Sequence, residues 1–230
     1  MIPTKELAQK VRDTVDAGLS MGKGNPIPGQ MCVEAAVNYA MGLPHGDDPS
    51  CVGRAVRNFK ITLNDSQGWT SNAARAKGLR RVAIAQLGSD KLDQVEFSEA
   101  LALETIRQIL PIALRVVGVH HPRLATEFEA LSRVCETATD LAEARQSDKT
   151  AANAAARADG AAVEAAHAAS IHAAANSTAN YAANTASAAA SAHADPDKIL
   201  TLSAEIAVQI LIKMGCQGCA WLDLVPLDKN

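Results

Sequence analysis

Between Met31 and Val52 the chain reads MCVEAAVNYAMGLPHGDDPSCV, its densest collection of side chains that could do chemistry. Cys32 and Glu34 fall on a predicted helix, His45, Asp47 and Asp48 in the loop after it, and Cys51 in the first turn of the next helix. Two thiols, an imidazole and a carboxylate suffice for a tetrahedral zinc site, so Cys32, His45, Asp48 and Cys51 are a candidate ligand set. Their spacing matches no zinc pattern. A thiol at a helix amino terminus is also acidified, which would make Cys51 a nucleophile with His45 as its base, although no oxyanion-binding element accompanies them. The preferred reading is plainer. Asp48 caps a helix, the two thiols are small core residues facing each other across a helical hairpin, and His45 orders the loop.

Near the carboxyl end, Gly215-Cys216-Gln217-Gly218-Cys219 is a CxxC between glycines. Such a turn can offer Cys216 and Cys219 to one metal ion or form a redox pair. A thioredoxin-like site would need a mixed sheet, and none is predicted. If the two ends of the chain meet, Cys32, Cys51, Cys216 and Cys219 would make a four-thiolate zinc site. The simpler expectation is that Gly215 ends the last helix and the thiols lie beneath Trp221. No cofactor is expected on balance, with zinc as the alternative.

Basic residues gather as Arg54, Arg57 and Lys60 on one predicted helix and Arg75, Lys77, Arg80 and Arg81 on the next. They could meet phosphates, but no aromatics are interleaved and no helix-turn-helix pattern is present, so a solvated face is preferred. Nucleic acid is therefore not an expected partner. Arg54, Arg57, Arg80 and Arg81 remain a candidate surface for a macromolecular partner. Neither GxGxxG nor GxxxxGK[ST] occurs.

The elements that must position these groups read as helices throughout, with no segment of period two. Thr4 caps a helix with Leu7, Val11 and Val15 on one face. A second helix is expected over 30–41, and a third from Asp48-Pro49 to about Asn64. Ser71 caps a fourth, reaching Leu87. The segment 96–119 should bend or break at Pro111. Pro122 opens another helix with Leu124, Phe128, Leu131 and Val134 on one side, and Asp195-Pro196 opens the last, over 198–214.

Between 151 and 194 the composition changes: 24 of 44 residues are alanine, and only Arg157, Asp159 and Glu164 are charged. Alanine favours helix, and the polar positions Asn153, Arg157, Gly160, Glu164 and His167, then Asn180, Asn184, Ser187 and Ser191, fall on one face. The alanine faces allow close helix approach, either inside a tightly packed layer or between copies of the chain.

Composition sets the outer limits. With 230 residues, 48% of them hydrophobic, the chain can bury a substantial core, which excludes a disordered or collagen-like protein. Aromatics at 3% leave few rings for stacking bases or sugars, and a net charge of −3 argues against polyanion binding. Five irregularly spaced cysteines suggest reduced thiols. The first residues lack the apolar run of a signal peptide, and the stretch 207–214 is too short and too polar to span a bilayer, so a cytoplasmic protein without a membrane partner is expected.

The order MC, Glu34-Ala35, Gly42, Pro44-His45, Asp48-Pro49, Cys51-Val52 and Leu63-Asn64-Asp65 resembles a segment of an uncharacterised family from bacteria and their phages. Proteins of that family join this segment to a carboxyl-terminal block of alanine-rich repeats interleaved with Trp, Arg and Asp. Here Asn, Ser and His take those places. The resemblance implies a bacterial or phage origin and no particular activity.

The expectation is an all-α protein, a helical bundle or stacked helical layers with a closely packed alanine-rich part, dividing into 1–148 and 149–230 within one continuous unit. Its leading functional reading is a non-enzymatic structural or interaction protein that self-associates through alanine-rich helices. The alternative is a metal-dependent or thiol enzyme centred on Cys32, His45, Asp48 and Cys51.

Overall fold

The Thr4 hydroxyl accepts the Leu7 amide at 3.2 Å and starts helix α1 (Lys5–Asp16), whose Ala8, Val11 and Val15 point inward at the anticipated spacing. In the computed structural model, which describes residues 2–155 and 179–227, nine further α-helices follow. They are α2 (Val33–Ala40), α3 (Arg54–Asn64), α4 (Asn72–Ala85), α5 (Gln94–Gln108), α6 (Leu110–His120), α7 (Ala125–Thr137), α8 (Leu141–Ala155), α9 (Ala179–Ala192) and α10 (Pro196–Lys213). A 3₁₀ helix, Gln217–Leu224, ends the described chain's regular structure. The described residues contain no strand, only one antiparallel bridge between Gly24 and Met31, and the fold is all-α. No described helix is long and apolar enough to cross a membrane.

Local chemistry accounts for most boundaries. Ser71 caps α4 through the Ala74 amide at 3.0 Å, and Asp195 caps α10 through the Lys198 amide at 3.2 Å. Between α5 and α6 the chain breaks at Ile109, where Pro111 supplies no N–H to continue the helical ladder.

One helix start and one helix face differ notably from the sequence reading. Pro49 does not open a helix: residues 49–52 form a turn closed by the Val52 amide on the Pro49 carbonyl at 3.0 Å, and α3 starts after Gly53. Its cap comes from elsewhere in the chain. Ser89 Oγ accepts the Gly53 amide at 2.9 Å and Gln94 Oε1 accepts the Ala55 amide at 3.0 Å. On α7 the inner face is Phe128, Ser132 and Cys135, while Val134 is 48% exposed. Six residues beyond Phe128, at about 100° each, put Val134 well round the helix from it.

The core is continuous across both halves of the chain. Helix α9 lies against α3, α5, α6 and α10, and α10 lies against α4. Phe59, Phe97 and Phe128 are fully buried, each worth roughly 1.5–3 kcal/mol relative to exposure. On α9 the inward positions are Ala182, Ala183, Thr185, Ala186, Ala189 and Ala190. Short side chains there let backbones approach closely: a Cβ on Gly68 would already meet the Ala190 Cβ at 3.4 Å. The polar stripe of Asn180, Asn184, Ser187 and Ser191 is on the outer side. Arg157, Gly160, Glu164 and His167, which the sequence assigns to the same stripe, lie outside the described residues.

Candidate functional site

The first turn of α2 carries Glu34 into the interior, where Lys60 of α3 meets it. Nζ and Oε1 are 2.9 Å apart, and both side chains are 0% exposed. Gln86 Nε2, at the end of α4, donates to Glu34 Oε2 at 3.4 Å. Burial pushes the carboxyl up and the ammonium down, and each ion opposes the other's shift. Beyond this mutual contact, neither Lys60 Nζ nor Glu34 Oε1 has a hydrogen-bond partner among the described residues. In the sequence alone Lys60 groups with Arg54 and Arg57 as a basic face. A better signal is its position four residues after Val56 and three before Leu63, on the same inward stripe as both.

The cysteines of the first cluster lie near this pair, close enough for both to act on the Lys60 charge. Cys32 is the N-cap of α2, its sulfur accepting the Ala35 amide at 3.4 Å. Cys51 is buried in the 49–52 turn, not at a helix start, and its thiol contacts Met41 Sδ at 3.6 Å. Burial raises both thiols, the reverse of the acidification a helix terminus would bring. His45 Nε2 sits 2.9 Å from the Gly24 carbonyl, joining two loops as a loop-ordering residue would. Asp48 is exposed and pairs with Arg57. Among the described residues no group of three or more His, Cys, Asp or Glu side chains is placed to hold a metal ion, so neither this quartet nor the four cysteines of the two ends are gathered as one ligand set.

The Leu63-Asn64-Asp65 segment proves to be a junction. Asn64 is fully buried: its Nδ2 donates to the Ser20 carbonyl at 2.9 Å and its Oδ1 accepts the Val33 amide at 3.3 Å. Asp65 accepts the Gly22 amide at 2.8 Å. Arg75 adds a third tie, donating to the Asn64 carbonyl at 2.8 Å and the Leu19 carbonyl at 3.3 Å. The loop between α1 and α2 is therefore anchored by α3 and α4, and Arg75 is an internal brace, not a surface charge.

The remaining arginines divide between two helices. Arg54 is exposed on α3. On α4, Arg80 reaches Asp16 at 3.4 Å, and Arg81 pairs with Glu205 at 2.8 Å while bonding the Val225 carbonyl. Arg57, Arg80 and Arg81 are thus each matched by a carboxylate of this chain, which leaves less positive charge for an outside partner than the sequence suggested.

Cys216 and Cys219 are at the start of the last 3₁₀ helix, against the end of α4. Gly215 ends α10 with φ +71°, as expected. The Cys216 thiol lies 3.5 Å from the Leu87 carbonyl and the Cys219 thiol 3.8 Å from the Ala85 carbonyl.

One surface feature had no counterpart in the sequence reading. A shallow groove runs between segment 66–70 and the carboxyl-terminal end of α9, where Ser187, Ala190 and Ser191 line it together with His193 and Pro196 beyond the helix. Trp69 forms part of its wall, held by its indole N–H on the Leu63 carbonyl at 2.8 Å. Thr70 fixes the far end, donating its amide to Asp197 Oδ1 at 2.9 Å. No Asp, Glu, Lys or Arg is among the lining residues.

Site and fold define an all-α protein with a buried ion-paired interior and an uncharged groove along an alanine-rich helix. No family model matches the chain, and no curated protein or solved structure is significantly similar to it.

Proposed function

We propose that the protein is a non-enzymatic structural or interaction protein that self-associates through the uncharged outer side of its alanine-rich helices. The observation that carries this reading is the groove between segment 66–70 and α9, lined without a single Asp, Glu, Lys or Arg. Helix α9 itself carries no charged residue. An uncharged surface of small polar and alanine side chains can be covered by a second copy without stranding a charge, and its shallow relief suits another helix better than a small molecule. Two ion pairs elsewhere in the described chain serve cohesion: Glu34 and Lys60 join α2 to α3, and Arg81 and Glu205 join α4 to α10.

Size-exclusion chromatography with light scattering over a range of protein concentrations tests the reading. A mass climbing from 24.0 kDa to a multiple of it as concentration rises is the expected result. A constant 24.0 kDa at every concentration would overturn it.

A further inference from the structure

The Cys216-Gln217-Gly218-Cys219 turn holds two thiols in a geometry that the groove does not use. The Cys219 amide donates to the Cys216 carbonyl at 3.1 Å, closing a 3₁₀ turn. In such a turn residues three apart eclipse, so the two side chains leave the backbone on the same side. The Cys216 thiol lies against the Leu87 carbonyl and the Cys219 thiol against the Ala85 carbonyl, and the two are close enough for each to bear on the other's proton. That coupling makes the first proton of the pair easier to lose, against burial and the charge of Asp90, and the second harder.

The turn is also fixed in place. The Gly218 amide donates to the Leu87 carbonyl at 2.7 Å, and a Cβ on Gly218 would stand 2.2 Å from the Ile84 carbonyl oxygen. Only glycine lets the turn lie so close to the end of α4. Cys216 is buried while Cys219 is partly exposed, so one sulfur is reachable and the other lies behind it. Cys32 and Cys51 share none of this: both are buried and both thiols are raised.

We propose that Cys216 and Cys219 are a redox-active pair that exchanges with small disulfides of the glutathione class. The pair first releases one proton to solvent; with the remaining proton on Cys216, the thiolate of Cys219, the accessible sulfur, attacks one sulfur of the small disulfide. That S–S bond breaks, a mixed disulfide forms on Cys219, and one glutathione thiolate leaves. It takes up the proton from Cys216, whose thiolate then attacks the Cys219 sulfur. The bond from Cys219 to glutathione breaks and the second glutathione leaves as a thiolate, which takes up a proton from solvent. In the full cycle the two protein thiols lose two protons and two electrons, and the small disulfide becomes two thiols.

The test uses the full chain, equilibrated at graded ratios of oxidised to reduced glutathione, quenched in acid, unfolded, alkylated and digested. The peptide spanning Cys216 and Cys219 should pass in one transition from two alkyl groups to none, with an internal disulfide, while Cys32, Cys51 and Cys135 stay alkylated throughout. Cys216→Ser should stop at one glutathione on Cys219, because the resolving thiolate is gone. Two alkyl groups on that peptide at the most oxidising ratio, or a glutathione adduct that persists in the wild type, would overturn the proposal. So would a Cys216→Ser chain that stays unmodified at Cys219.

Discussion

Lys60 Nζ lies 2.9 Å from Glu34 Oε1, and neither side chain reaches solvent. The pair joins the first turn of α2 to the inward stripe of α3, with Gln86 of α4 on the second carboxylate oxygen. Two ions taken out of water recover that cost only through each other, so the contact specifies how three helices meet more than it adds stability.

Removing one partner should therefore hurt far more than removing both. Lys60→Met is expected to cost about 3–5 kcal/mol, whereas Glu34→Met with Lys60→Met should equal or exceed wild-type stability in urea titrations. The single variant leaves a buried carboxyl whose folded value is raised by burial. Stability tied to such a group is full below the ordinary carboxylate range and falls as pH rises through the folded value. The deficit of Lys60→Met should thus widen from acid toward neutral and alkaline pH. A deficit that narrows as pH rises would show that the carboxyl is not the stranded group.

Asn64 should prove a structural residue of comparable weight. Asn64→Ala removes the acceptor of the buried Val33 amide and the donor to the partly buried Ser20 carbonyl, leaving both backbone groups without that partner. A loss of about 2–3 kcal/mol is expected. Hydrogen exchange should localise the effect to the loop between α1 and α2. A loss below about 0.5 kcal/mol would mean the loop is held by Asp65 and Arg75 alone.

Gly78→Ala offers a check on the close approach of α4 to Trp69. Alanine improves helix propensity by about 1 kcal/mol, yet its methyl would stand 2.4 Å from Trp69 Cη2 and 2.7 Å from Thr201 Oγ1. Overpacking of about 1–3 kcal/mol should outweigh the gain, and displacement of the indole should change its fluorescence. A more stable variant with unchanged emission would contradict the described contact.

Helix starts governed by a neighbouring side chain were legible in the sequence: Thr4, Ser71 and Asp195 each cap within three residues. The start of α3 was not, because its caps, Ser89 and Gln94, are 36 and 39 residues from the amides they accept. Asp48-Pro49 mimicked a local cap while Asp48 pairs with Arg57. The outer stripe Asn180, Asn184, Ser187 and Ser191 followed from helical period alone. The groove beside it did not, since its other wall is a loop more than 110 residues earlier in the chain. Lys60 was hidden by its own chemistry: a lysine at an inward position looks like surface until a buried carboxylate is found opposite it.

Sedimentation velocity on the wild type and on Ser191→Arg tests the central claim most directly. Ser191 is exposed beside the groove, so arginine there should leave the fold intact while placing a charge on the surface proposed to meet a second copy. The wild type should sediment as an assembly and the variant as a 24.0 kDa monomer of unchanged helicity. A wild type that stays monomeric at high concentration, or a variant that assembles as well as the wild type does, would contradict the account.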